Sequence, residues 1–307
     1  MDTAPFEHAA MDRYPTISTW QADAPTLVAT MLSRWHLEPR GAFIGGVAAS
    51  VLEVKTRDGF PAILKVGYPH PEAIWEAVGL TAFPPGTAPE VLDQDAWTWS
   101  MLLEPIVPGT PLSKTTLDSR EAMNSAGALL AKLSTGVVPN GLPTLADAMT
   151  AYATDAMLRL DSQSAALDSF GVRALVVDAV ETLMVLAASA SEHRLLHGDF
   201  NPGNILLGPD GRWLAVDPKP LVGDPAFDLW PLVSQVGSPF EAAHPASVLA
   251  EHLELAAAAA GVDRDRAASW AYARAGLNVS WYLADGLPAQ AATEAAEFVA
   301  WATVAGR

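Results

Sequence analysis

The chain has 307 residues, 35 acidic against 18 basic side chains for a net charge of −17, and no cysteine. That length accommodates two modest domains and an ample core. The absence of cysteine excludes a disulfide framework and a thiolate metal site, the acidic excess argues against nucleic acid and suits a cationic small molecule, and with no membrane-length apolar run and no leader-like start the expected compartment is the cytoplasm.

From about residue 41 to 110 the texture is strand-like, with β-branched runs broken by Gly and Pro. Phe43 to Val51 reads as a Gly45-Gly46 turn between two apolar runs ending beyond Ser50, where missing side chains let backbone N–H groups approach phosphate. Asp58-Gly59 is a hairpin signal, and the returning run Ala62 to Val66 carries Lys65 inside apolar surroundings. A lysine there needs anionic partners, because an unpaired buried ammonium is expensive. Nucleotide phosphates and a helix glutamate would supply them. Pro71 to Leu80 reads as that helix, with Glu72 and Glu76 at i, i+4; Glu76 is favoured for its position one turn before Leu80, and Glu72 stays open as the alternative. Met101 to Gly109 reads as the strand leaving this lobe, with Met101 behind an adenine ring and the Glu104 carbonyl and Ile106 N–H on its edge, Pro105 having no N–H to offer.

Beyond about residue 119 the chain becomes helical. Ser119 to Leu133 shows apolar i, i+3, i+4 spacing, and similar patterns recur at 144–160, 165–190, 245–260, 264–284 and 289–305. The fold class expected is therefore α+β, a small β-rich lobe over residues 1–105 that binds nucleotide and a larger helical lobe over 106–307, with the nucleotide between them.

One interruption of the helical texture carries the chemistry. His197-Gly198-Asp199-Phe200-Asn201-Pro202-Gly203-Asn204 is followed by an apolar run, a turn at Gly208 to Gly211, and Trp213 to Asp217. An Asp, an Asn five residues on, a hairpin and a second Asp is what phosphoryl transfer requires: a carboxylate to take the acceptor hydroxyl's proton, and hard oxygen donors for Mg²⁺. Asp199 is the expected catalytic residue, Asn204 and Asp217 the expected metal ligands, and His197 a brace for the loop. The turn is expected to return Asp217 beside the loop carrying Asn204.

These motifs, with Leu64-Lys65, Met101 to Gly109 and above all Trp213 to Trp230 containing Asp217-Pro218-Lys219-Pro220 and Gly223-Asp224-Pro225-Ala226-Phe227-Asp228, resemble the aminoglycoside phosphotransferase family, in its streptomycin 6-phosphotransferase and hydroxyurea phosphotransferase group. The resemblance runs from about residue 18 to the C-terminus. It implies a protein-kinase-like fold, ATP and Mg²⁺ as co-substrate and cofactor, Lys65 on the nucleotide phosphates paired with Glu76, and Asp228 as a structural acceptor of catalytic-loop N–H groups. A streptomycin-type acceptor is a guanidinium-bearing cation; among Asp224, Asp285, Glu294 and Glu297, Asp224 is the residue expected to face it. Hydroxyurea or another small alcohol is the alternative acceptor, and an idle nucleotide-binding module the remote one. Only six residues separate Asp217 from Asp224, too few for a regulated flap of the kind that accompanies protein substrates.

Overall fold

A computed structural model describes residue 14, residues 16–41, 44–189 and 193–307; of Ile44 and Gly45 the backbone alone is described. Phe43, at the start of the expected phosphate turn, lies outside the described residues. The described chain divides into two compact units. One runs to Thr110 and takes in Leu206–Lys219; the other comprises Pro111–Ile205 and Pro220–Arg307.

The first unit is built on an antiparallel sheet. Its strands are β1 (Glu38–Pro39), β2 (Ile44–Gly45), β3 (Ala49–Lys55), β4 (Pro61–Gly67), β5 (Val91–Asp95) and β6 (Ser100–Leu103), in the order β1-β3-β4-β6-β5, with β2 also on β3. Gly59, at φ 90°, makes the β3–β4 turn that the Asp58-Gly59 pair predicts, closed by Thr56 N–H on the Phe60 carbonyl. The register sets Lys65 of β4 opposite Val51 on one side and Met101 on the other. Helix α1 (Ile17–Arg34) buries Trp20, Ala24, Leu27, Val28 and Met31 as one stripe against Leu52, Val54, Leu64, Val66 and Leu102. Thr16 caps it by accepting the Thr19 N–H. This helix is absent from the sequence reading because Pro25 interrupts its pattern.

The expected helix from Pro71 requires correction. Helix α2 spans only Glu76–Ala82, and residues 71–75 form successive turns closed by Ala73 N–H on His70 O and Glu76 N–H on Ala73 O. Glu72 and Glu76 therefore do not share a helical face. The unit is completed by Leu206–Lys219, which holds most of β8 (Ile205–Leu207) and all of β9 (Trp213–Ala215). Asp210 at φ 58° and Gly211 turn the chain, Gly208 N–H closes on Arg212 O, and Ala215 N–H reaches the Thr87 carbonyl.

The second unit is helical. It contains α3 (Ser119–Leu133), α4 (Leu145–Ser169), α5 (Arg173–Ala188), α6 (Leu229–Gln235), α7 (Pro245–Ala260), α8 (Arg264–Ala284) and α9 (Pro288–Val304). Asp118, Thr144 and Asp263 cap α3, α4 and α8 through side-chain oxygens that accept N–H groups three residues on. The helix from 144 runs on to Ser169 and the next begins at Arg173, the break falling at Gly171 with φ 72°. Close approach of helices is built into two glycines: a Cβ on Gly127 would lie 2.6 Å from the Ala256 carbonyl oxygen, and one on Gly276 would lie 2.4 Å from Ala179 Cβ. Trp270, Tyr272, Phe298 and Trp301 fill the core there, Tyr272 stacking on Phe298 at 5.1 Å. Strands β7 (Arg194–Leu196) and β10 (Leu221–Gly223) pair antiparallel, fixing the stems from which residues 197–204 leave and to which residues 224–228 are joined.

Candidate active site

In the first unit, Lys65 lies at the middle of the sheet and is nearly buried. Its Nζ donates to Glu76 Oε1 at 2.5 Å and to Asp217 Oδ1 at 2.7 Å. Burial alone would push the lysine's pKa down, but Glu76 and Asp217 outweigh it and hold the ammonium above its ordinary value. Burial pushes the Glu76 carboxyl up, opposed by the adjacent ammonium. Glu72 instead lies 3.3 Å from Lys219 Nζ. An ammonium has three donors, so Lys65 keeps one direction for a further acceptor.

Asp217 is the exposed member, at 58% of its side-chain surface, and sits at φ 59°. A non-glycine residue in the left-handed region is uncommon, and one preceding proline more so. That backbone conformation turns the carboxylate to Lys65. Met101 is buried on β6 in register with Lys65. Ser50 is half-buried on β3, opposite Gly45 and Val66. Glu104 is exposed with its N–H on the Glu90 carbonyl, and Ile106 is half-buried in the segment that follows.

In the second unit, the 197–204 loop is held by one carboxylate. Asp228, fully buried, accepts His197 N–H at 2.7 Å and Gly198 N–H at 2.8 Å. Burial pushes its pKa up to about 6, partly offset by those two N–H groups and by Arg274. Arg274 in turn lies over the Phe227 ring at 4.0 Å and donates to the Phe227 carbonyl. His197 is fully buried, accepts Asp199 N–H at Nδ1 (3.3 Å) and meets Phe200 edge-on, a bracing arrangement with no exposed face for proton transfer.

Asp199 is half-buried, with Asn201 Nδ2 donating to its Oδ1 at 3.0 Å. Asn204 Nδ2 donates to the Asp199 carbonyl at 3.0 Å, which orients the Asn204 Oδ1 as the hard-oxygen end. Asn201 is a site residue the sequence reading missed; its side-chain Oδ1 also accepts Gly203 N–H at 2.9 Å. The signal available was an Asn two residues after the Asp, a position from which a short amide side chain reaches neighbouring backbone.

Asp224, the carboxylate expected to face the acceptor, has partners within its own unit. It is 5% exposed, ion-paired to Arg266, and accepts Trp270 Nε1–H at 2.9 Å and Ala226 N–H at 3.0 Å. Its charge is already neutralised by a cation 42 residues away, which a local motif does not reveal. Of the other acidic candidates, Asp285 ends α8, while Glu294 and Glu297 lie one turn apart on α9, Glu294 accepting from Asn278 of α8 at 3.4 Å. Burial and then Glu297 raise the Glu294 carboxyl to about 7.

No cluster of three or more His, Cys, Asp or Glu among the described residues could hold a metal by itself. Asn204 Oδ1 and the Asp217 carboxylate are hard oxygen donors of the kind that Mg²⁺ takes from a protein. No described helix is long and apolar enough to cross a membrane.

The family model for aminoglycoside/hydroxyurea antibiotic resistance kinases matches residues 34–286. The chain belongs to that family. Streptomycin 6-kinase from Streptomyces glaucescens is 34% identical over 87% of this chain and 85% of its own length. Hydroxyurea phosphotransferase from Kitasatospora aureofaciens is 34% identical over 85% of this chain and 74% of its own. Among solved structures, aminoglycoside phosphotransferase APH(4)-Ia in complex with AMP-PNP and hygromycin B superposes with a TM-score of 0.60 over 90% of this chain and 97% of that one, at 15% identity. A choline kinase from Streptococcus pneumoniae gives 0.57 at 14% identity, covering 90% and 98%. The fold of this family member is the two-lobed protein-kinase-like one, and the enzyme is a phosphotransferase with an alcohol group as acceptor.

Proposed function

We propose that this enzyme transfers the γ-phosphoryl group of ATP to a hydroxyl of a streptomycin-type aminoglycoside, which would inactivate the antibiotic. The observation that carries the reading is the Lys65–Glu76–Asp217 ion network, accompanied in the same chain by an Asp199 loop organised by Asn201, Asn204 and Asp228. In this reading Asp199 accepts the proton of the attacking hydroxyl as the new O–P bond forms, and ADP leaves. Lys65 donates its remaining N–H to a nucleotide phosphate, and Glu76 keeps the ammonium in place. Asn204 and Asp217 would hold Mg²⁺, which when bound neutralises charge on the phosphates. Ser50, Met101, Glu104 and Ile106 are assigned to the nucleotide, with the first lobe ending near residue 105 and the compartment cytoplasmic.

The acceptor assignment rests on the streptomycin kinase relative, matched over more of its own length than the hydroxyurea enzyme, and on a net charge of −17 that suits a cation. The test is ³¹P NMR of reactions containing Mg²⁺-ATP with streptomycin, hydroxyurea or another aminoglycoside. A new phosphomonoester with streptomycin supports the assignment. A product with hydroxyurea alone transfers the enzyme to the second acceptor class.

A further inference from the structure

The segment Asp217-Pro218-Lys219-Pro220 contains a cation that none of the roles above uses. Both prolines are buried, and their fixed φ angles restrict the backbone of the residue between them, so the Lys219 side chain leaves from a stiff base two residues after Asp217. Its ammonium stands 3.3 Å from Glu72 Oε2, both side chains being about half exposed. Glu72 belongs to the turn that leads into α2, the helix that carries Glu76. His70, stacked on Tyr68 at 5.8 Å, lies within electrostatic reach of Glu72, Lys219, Asp217 and Lys65 together, so these groups share one field.

Two contrasts decide what Lys219 does. The Lys65 ammonium is buried and has two of its three donors on Glu76 and Asp217. The Lys219 pair is longer, solvated and therefore cheap to exchange. Among the described residues, the ion pairs of Lys65 and Lys219 join two ammonium groups to the three carboxylates Glu72, Glu76 and Asp217, so an incoming polyanion gains an ammonium where it displaces a carboxylate from one. Phosphoryl transfer spreads charge over three equatorial oxygens, more than one lysine donor serves.

We propose that Lys219 is a second phosphate-directed cation, which exchanges Glu72 for an oxygen of the nucleotide's terminal phosphate. Glu72 holds the ammonium in readiness, and its turn couples that exchange to the start of α2. The inference rests on the phosphotransferase reading and adds a nucleotide-positioning residue to it. A lysine that merely ties the 70–75 turn to the 217–220 segment would affect all nucleotides alike.

Calorimetric titration of the purified full chain with Mg²⁺-AMP-PNP and with Mg²⁺-ADP separates the two. Lys219→Met should lose about tenfold in affinity for AMP-PNP with ADP binding unchanged, Lys219→Arg should recover most of that loss, and Glu72→Gln should not weaken AMP-PNP. Thermal unfolding of each variant reports whether it remains folded. Equal losses on both nucleotides, or no loss on AMP-PNP, would overturn the role of Lys219 while leaving the kinase reading in place. Failure of the wild-type chain to bind either nucleotide would overturn both.

Discussion

Replacing Asp228 by Asn tests how the catalytic loop is held. The carboxylate is fully buried and accepts two backbone N–H groups, and burial pushes its pKa up to about 6 from an ordinary 3.8. A carboxyl whose folded pKa is raised favours the fold when protonated. That contribution is present below pH 3.8 and lost as pH rises through about 6, to a total of about 3 kcal/mol. Asn cannot titrate, and it presents one acceptor where the carboxylate presents two, so one of the His197 and Gly198 N–H groups loses its partner at a cost of about 1–3 kcal/mol. Urea unfolding of both proteins at pH 4.5 and pH 7.5 should show the wild type losing about 2 kcal/mol relative to the variant across that interval, the remainder of the total falling below the lower pH. Turnover by the variant should nevertheless fall at both pH values, because the backbone that presents Asp199 loses an anchor. A stability difference that stays constant, or that shifts toward the wild type as pH rises, would refute the assignment of a raised pKa to Asp228.

Two further outcomes follow from the packing and pairing. Glu76→Gln leaves the buried Lys65 with Asp217 alone, and breaking such a pair costs about 3–5 kcal/mol when nothing compensates, so the loss should fall at or below the lower end; the double variant Lys65→Met, Glu76→Met should lose less than Glu76→Gln in the same urea titration. Gly276→Ala should destabilise by about 1–3 kcal/mol despite alanine's better helix propensity, because its Cβ would meet Ala179 Cβ at 2.4 Å and the Phe298 ring at 3.0 Å; a more stable alanine variant would show that α5 and α9 yield there.

What could be read from the sequence was what chemistry and periodicity force. A lysine inside the apolar run 62–66 required anions, and the structure supplies Glu76 and Asp217. Helices α3 and α8 begin where the capping side chains of Asp118 and Asp263 and the apolar spacing place them, and α7 runs from Pro245 to the left-handed Gly261. The failures have equally local causes. Pro25 hides α1, and i→i−3 turns replace the expected first turns of α2, which takes Glu72 off the helix and leaves it to Lys219. Asp224 read as available because its neutralising Arg266 lies on α8, and no local pattern announces a partner that only tertiary packing brings near. Asn201 carries no metal-site signal, because that spacing belongs to Asp199 and Asn204, while the residue between them orients the Asp199 carboxylate.

The central claim is that Asp199 takes the acceptor proton in a phosphotransfer that other residues support by binding. The measurement that tests it most directly is the turnover of Asp199→Asn with streptomycin, taken alongside the Mg²⁺-ATP affinity of the same preparation. The account predicts a fall in kcat of about 10²–10⁴ with nucleotide affinity close to that of the wild type. Near-normal turnover by Asp199→Asn, with nucleotide bound as tightly as before, would contradict it.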